Sequence, residues 1–328
     1  MASETTQNDF QFSIEREAAW GTAISTTPLG LPTEELEISI EPNSHRFARS
    51  RAVRGQHEDD SWQDLNAAIP TASTTVILNA ELMSIMMTGL CQKSTDWAAA
   101  ANVWTIDSLA AAATVPTPKA DNSGYYYTLV RNSPVGSEDV RITSAVISNA
   151  TLSLDPVDND GLLMGAFEFI GKAYTRGGTY TVPASQSSIA TPYKWSGVTA
   201  VTWDGDNVLN DFVSMEMSLT NGGKLQGDIP SGEAVFPKWE GSLTLRLHAS
   251  SFSEGMKGEA HSNAVNDAKP FVISWGDNPA DSAGELNITF QGLITSAESS
   301  YDEGEVIDFT IDGLFTDALN MVQFIFYL

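Results

Sequence analysis

Apolar and polar residues alternate along short runs over most of this chain, the two-residue period of half-buried strands. The pattern is clear at residues 36–40 and 145–154, and strand-like runs lie at 74–79, 125–130, 140–144 and 163–173. It resumes at 198–203, 213–219, 242–248, 271–275, 285–291 and 306–315, and residues 321–328 are almost wholly apolar. Helical spacing is confined to two places. Leu82, Ile85 and Met86 predict a short helix over 80–90, with Gly89 expected to stop it. Residues 250–259 form a weaker candidate, because Gly255 and Gly258 disfavour it. The cluster 155–161 and the run Asn221-Gly222-Gly223 read as turns.

Between these elements lie stretches without period. Residues 1–14 read as a mobile arm, followed by a Gly- and Pro-bearing segment laid across a surface. Residues 95–124 read as a long loop and 176–197 as a Gly-, Ser- and Pro-rich linker. The expected architecture is mainly β. It divides into an N-terminal arm (1–35), a first β domain (36–175), a linker (176–197) and a second β domain (198–328). Each domain is a β-sandwich or open barrel with one short helix.

The halves repeat one another in element order. A strand at 36–40 leads through a long connection to a strand at 74–79 and the first helix. A strand at 213–219 leads likewise to 242–248 and the second helix. Each half closes on a hairpin whose last strand alternates and then reaches Gly171 or Gly313. The repeat lies in element order and strand pattern, not in residue identity.

Charge narrows the function classes. The chain of 328 residues carries 17 Lys+Arg and 42 Asp+Glu, a formal net charge of −25. Such a surface repels phosphate, which argues against tight binding to free nucleic acid or to an anionic membrane. The acidity belongs to both halves: residues 1–175 hold 10 cations and 22 anions, residues 176–328 hold 7 and 20. One cysteine, Cys91, excludes an internal disulfide framework and a Cys-cluster metal site. No apolar run reaches the ~20 residues of a membrane span. The polar, acidic N-terminus lacks a signal peptide's pattern, so synthesis in the cytoplasm is expected.

No catalytic motif is present: no Gly-x-Ser-x-Gly, no phosphate-binding loop, no His-Glu-x-x-His. The Asp158–Gly161 stretch echoes a Ca²⁺ loop, but Phe167 stands where the bidentate Glu should be, and a hairpin turn is the better reading. Cys91 reads as a buried structural residue, and the four histidines are scattered. No cofactor, metal or catalytic role is expected. One local feature is odd: Arg46, Arg49, Arg51 and Arg54 stand together, followed by Glu58, Asp59 and Asp60. This is either a solvated loop that balances its own charge or a docking arm for an acidic surface on a neighbouring copy. The apolar end of the chain, with Phe324, Phe326 and Tyr327, suits burial against a neighbouring subunit.

The segment Glu15-Arg16-Glu17-Ala18-Ala19-Trp20-Gly21-Thr22 resembles a signature of phage tail tube proteins, carried here by Glu17, Trp20, Gly21 and Thr22. The arginine-bearing connection, the helix near 80–90 and the final Asp308–Leu314 stretch look similar too. The resemblance implies a structural virion protein made in the host cytoplasm. It implies a ring-forming homo-oligomer stacked into a hollow tube, each domain giving strands to an inner barrel. Its partners would be copies of itself, the tape-measure protein and phage DNA in an acidic lumen, and tail terminator and tail-tip proteins. Two tandem tube domains favour a trimer with pseudo-sixfold symmetry over a hexamer. Two other classes compete: a carbohydrate-binding or adhesive β-sandwich using the eight Trp and eight Tyr as stacking platforms, and a hydrolase with spatially assembled carboxylates.

Overall fold

The structure is a computed structural model. It describes residues 11–17, 21, 23, 29–33, 36–41, 69–92, 96–98, 103–107, 125–133, 139–178, 180, 192–226, 233–235, 239–261, 268–276, 285–300, 305–313 and 321–327. The fold is mainly β, and every strand pairing is antiparallel. In the first half the strands are β1 (Gln11–Arg16), β2 (Leu29–Gly30), β3 (Leu36–Glu41) and β4 (Ile69–Ile77). After helix α1 (Ala80–Cys91) come β5 (Asp96–Ala98), β6 (Val103–Asp107), β7 (Tyr127–Asn132), β8 (Val140–Leu154), β9 (Met164–Ile170) and β10 (Ala173–Arg176). The second half has β11 (Val198–Trp203), β12 (Asp206–Asn207), β13 (Phe212–Thr220), β14 (Lys224–Gln226), β15 (Glu233–Val235) and β16 (Glu240–His248). After helix α2 (Ser251–His261) come β17 (Lys269–Trp275), β18 (Leu286–Ser300), β19 (Val306–Gly313) and β20 (Val322–Tyr327).

The pairing pattern is duplicated. In the first half β3 pairs β4, β4 pairs β9 and β9 pairs β8. In the second, β13 pairs β16, β16 pairs β19 and β19 pairs β18. The two long strands even break register at matching places, around Ser148 in β8 and Thr295 in β18. Aligning on these breaks sets Phe167 with Phe309 and Gly171 with Gly313. It also sets Leu36-Glu37-Ile38-Ser39-Ile40 with Met215-Glu216-Met217-Ser218-Leu219. That last pair matches apolar with apolar, Glu with Glu and Ser with Ser. The repeat therefore survives in residue type at β3 and β13, contrary to the expectation of none.

The halves are not separate sheets. β8 pairs β13, with Leu154 opposite Met215 and Asn149 opposite Thr220. β6 pairs β20, so a strand of the first half closes on a strand of the second. One apolar core follows, with Leu152, Leu154, Met215, Met217, Leu243, Leu245, Phe309 and Ile311 all buried. Burying a side chain of this size contributes about 1.5–3 kcal/mol.

Both helices begin as the alternation ends. Asn79 has an extended backbone, and its Oδ1 accepts from Leu82 N–H at 2.9 Å, an N-cap for α1. Ser250, its counterpart in the repeat, accepts from Ser253 N–H at 3.2 Å, while Ser253 Oγ accepts from Ser250 N–H at 2.8 Å. Asn79→Ala is expected to cost about 1 kcal/mol, read as a lower midpoint in urea at unchanged slope.

Gly89, expected from the sequence to stop α1, does not. The helix continues to Cys91 and ends at Gln92, which takes a left-handed φ of 57°. Gly89 is there for space: a Cβ would lie 2.6 Å from the Tyr127 ring, so only glycine lets the helix approach β7 this closely. Tyr127 Oη also donates to Ile85 O at 2.6 Å, fastening helix to strand. Cys91 is buried at the helix end.

Three further expectations are corrected. Residues 11–14, read as the end of a mobile arm, belong to β1, which pairs with β7 along its whole length and with β2. The stretch read as a loop over 95–124 contains β5 and β6, and β6 is held by β20. The end of the supposed linker is packed: Tyr193 is buried and bonds through its backbone to Leu78 and Leu163, and Trp195 stacks on Phe212 at 4.8 Å. The Asp158–Gly161 stretch is a turn, closed by Asp155 Oδ1 accepting from Val157 and Asp158 N–H. Among the described residues, no helix is long and apolar enough to cross a membrane.

Candidate assembly surface

The duplicated pairing lays out a run of neighbours, β3-β4-β9-β8-β13-β16-β19-β18, across the molecule. Alternation splits its residues between two faces. One faces the core. The other carries mainly Ser, Thr, Asn and acids, with Ile77, Met164, Ala166, Ile170 and Leu293 among them. On it, Thr75 stands opposite Ala166, Thr151 opposite Ser218, Ser218 opposite Ser242, and Thr244 opposite Thr310. Glu37, Glu168, Glu216, Glu298, Asp308 and Asp312 occupy register positions on this same face. Arg246 stands among them, and its Nε donates to Asp308 Oδ1 at 2.7 Å. This pair is part-exposed, so it contributes little to stability. It does cancel the positive charge on an otherwise acidic surface. Asn149 Nδ2 donates to Glu168 Oε2 at 2.5 Å, and Thr151 and Ser218 hydroxyls meet at 3.1 Å across the joint of the two halves.

The joint is locked from behind by Asn221, which is buried at 1% exposure. Its Nδ2 donates to Leu90 O and to Ile147 O, each at 2.8 Å, and its Oδ1 accepts from Gly223 N–H at 2.8 Å. Leu90 O belongs to the last turn of α1, where backbone carbonyls lack helical partners. One side chain thus ties helix α1, strand β8 and the end of β13.

A second constellation gathers around Glu17, just past β1. The residue is buried at 3% exposure. Its Oε1 accepts from Ser144 N–H at 2.7 Å and from Thr128 Oγ1 at 2.8 Å, and its Oε2 accepts from Ser144 Oγ at 2.6 Å. Ser144 Oγ in turn accepts from Gly21 N–H at 2.6 Å. Ser144 holds a left-handed φ of 52° inside β8, where the register with β7 slips, so its amide turns toward the carboxylate. Burial pushes the Glu17 carboxyl above its ordinary value. The Ser144 and Thr128 hydrogen bonds and the nearby Lys172 ammonium pull the other way and do not fully offset it. Gly21 has a left-handed φ of 82°, which favours glycine, and Lys172 Nζ sits against it.

The residues singled out from the sequence fall into three groups. Glu17 and Gly21 are brought together through Ser144, which no sequence pattern marked. Trp20, Thr22, Arg46, Arg49, Arg51, Arg54, Glu58, Asp59 and Asp60 lie outside the described residues. Phe324 and Phe326 are corrected as contacts between subunits. Both are fully buried in this chain's own core, and their strand is flanked by β18 and β6 on its two edges. The backbone of Tyr327 pairs Val103 in the same ladder. No protein-family model and no curated protein matches this chain.

Proposed function

We propose that this chain is a structural subunit of a phage tail tube, assembling with its own copies into stacked rings. The observation that carries the reading is the continuous strand run with its polar, acid-rich face, shared by both halves. Curled into a ring, that face lines a channel. Carboxylates and hydroxyls would repel DNA phosphates and leave a hydrated wall, so DNA passes without sticking. The duplicated pairing supports three copies forming six equivalent segments. The tape-measure protein would occupy the channel during assembly, and terminator and tip proteins its two ends. A sugar-stacking role is less well supported, because Trp203 and Trp275 are buried.

Electron microscopy of purified protein over a concentration series tests this reading. Rings or tubes with a central hole are expected, and a monodisperse monomer under every condition overturns it. The arginine run has its own expected outcome. Replacing Arg46, Arg49, Arg51 and Arg54 together with Ser leaves the melting curve unchanged but shortens the tubes. Tubes of normal length from that variant refute its role as a docking arm.

A further inference from the structure

Two strand edges at the ends of this chain reproduce the two edges that meet at its internal joint. Along one edge of β8, β7 occupies the first part and β13 the second. Along the equivalent edge of β18, β17 occupies the first part, up to Gly292. Among the described residues no strand follows it beside Ser296–Ser300. At the opposite end of the run, β3 pairs β4 and no other described strand. In the repeat β18 is the counterpart of β8, and β3 the counterpart of β13.

We propose that β3 of one copy adds to the outer half of β18 in the next, in the register that β13 takes on β8, a joint that rests on the ring-forming reading above. The internal register then dictates the external one. Glu37 lies opposite Ser300, Ile38 opposite Ser299, Ser39 opposite Glu298, Ile40 opposite Ala297 and Glu41 opposite Ser296. The side chains fit this arrangement. Met217 is fully buried beside β8, whereas its counterpart Ile38 is only half-buried, with a face left for a neighbour to cover. Where Ser218 meets Thr151, Ser39 meets Glu298, and its hydroxyl donates to the carboxylate. The partner is therefore a second copy of this chain, docked by strand addition head to tail.

The external joint is also the weaker of the two, for two reasons. The position after β3 is Pro42, where β13 is followed by Asn221. Proline has no backbone N–H and no side-chain amide, so none of the Asn221 side-chain bonds has a counterpart. In addition, Glu37 of one copy sits diagonally across from Glu298 of the next, at ~7–8 Å in such a ladder. At the internal joint the same diagonal sets Glu216 against neutral Thr151. Like charges within a Debye length of ~10 Å repel at 0.1 M salt, and added salt screens them. Assembly is expected to strengthen as salt rises.

Paired cysteines test the joint. Ser39→Cys with Glu298→Cys puts two thiols opposite each other, and Ser39→Cys with Ser296→Cys in a Glu298→Gln background sets them two residues out of register with the same charge removed. Cys91 is buried and does not compete. Mild oxidation across a salt series should give a ladder of disulfide-linked oligomers from the matched pair, several-fold more than from the shifted pair. The single variant Glu298→Gln should assemble at lower salt than the parent. Equal cross-linking by both pairs, or none in protein that has assembled, overturns the joint. Tubes without matched cross-links leave the tube reading standing and remove the joint. Matched cross-links without rings or tubes do the reverse. A chain that stays monomeric at every salt concentration overturns both.

Discussion

Glu17→Ala is expected to lower stability by roughly 3 kcal/mol, because it leaves buried hydrogen-bond donors with no acceptor. The Ser144 amide has no alternative, since its backbone is fixed at φ 52° and aimed at the carboxylate. The Ser144 and Thr128 hydroxyls can rotate in search of partners, so their share is smaller. Thermal unfolding followed by circular dichroism should show the midpoint falling by several degrees. An unchanged midpoint would show that the Glu17 bonds contribute nothing net. Glu17→Gln should cost less, because one oxygen still accepts.

The comparison with Gln carries a pH dependence. The folded carboxyl of Glu17 is raised above its ordinary value of 4.5 by burial. A carboxylic acid raised on folding binds its proton more tightly in the native state than in the unfolded one. Its contribution is therefore fully present below the unfolded value and is lost as pH rises through the folded value. The stability gap between parent and Glu17→Gln should narrow as pH increases above about 4.5. A gap that widens over that range would mean the three hydrogen bonds outweigh desolvation.

Asn221→Ala is the second large effect. It strips partners from Leu90 O, Ile147 O and Gly223 N–H in a site closed to water. A loss of about 2–4 kcal/mol is expected. Its location matters as much as its size. Hydrogen exchange should accelerate at the β8–β13 ladder, around Leu152 and Met217, more than at the β17–β18 ladder. Uniform acceleration would show that Asn221 supports the whole fold and not the joint.

Much of the sheet was legible because it exposes one face and buries the other. Leu243, Leu245 and Leu247 alternate with Ser242, Thr244 and Arg246, and that run is β16. Helix α1 was legible in the spacing of Leu82, Ile85 and Met86 though not in its end, and α2 only weakly, because Gly255 and Gly258 interrupt it. β1 was not: Phe12 and Ile14 do alternate with Gln11, Ser13 and Glu15, but the run is short, lies in a polar N-terminal stretch, and is held by β7 far along the chain. β5 and β6 were hidden among alanines, too short to show a period. The candidate surface was half visible. Its acids could be counted, but their common face follows from register. Ser144, which organises Glu17 and Gly21, carries no signal in the sequence, since a left-handed serine inside a strand looks like any other serine. The role of Asn221 was masked by the turn signal of the glycines beside it.

The ladder between β6 and β20 has a kinetic meaning. Val103 and Tyr327 are register partners although more than two hundred residues separate them along the chain. Closing so long a loop is entropically slow, and strands that wait for distant partners are exposed in the meantime. β6 cannot find its place until β20 has been made, and β20 also needs β18. Final closure of this chain is therefore a late folding event, and a nascent first half has to be kept from pairing with the wrong neighbour until then.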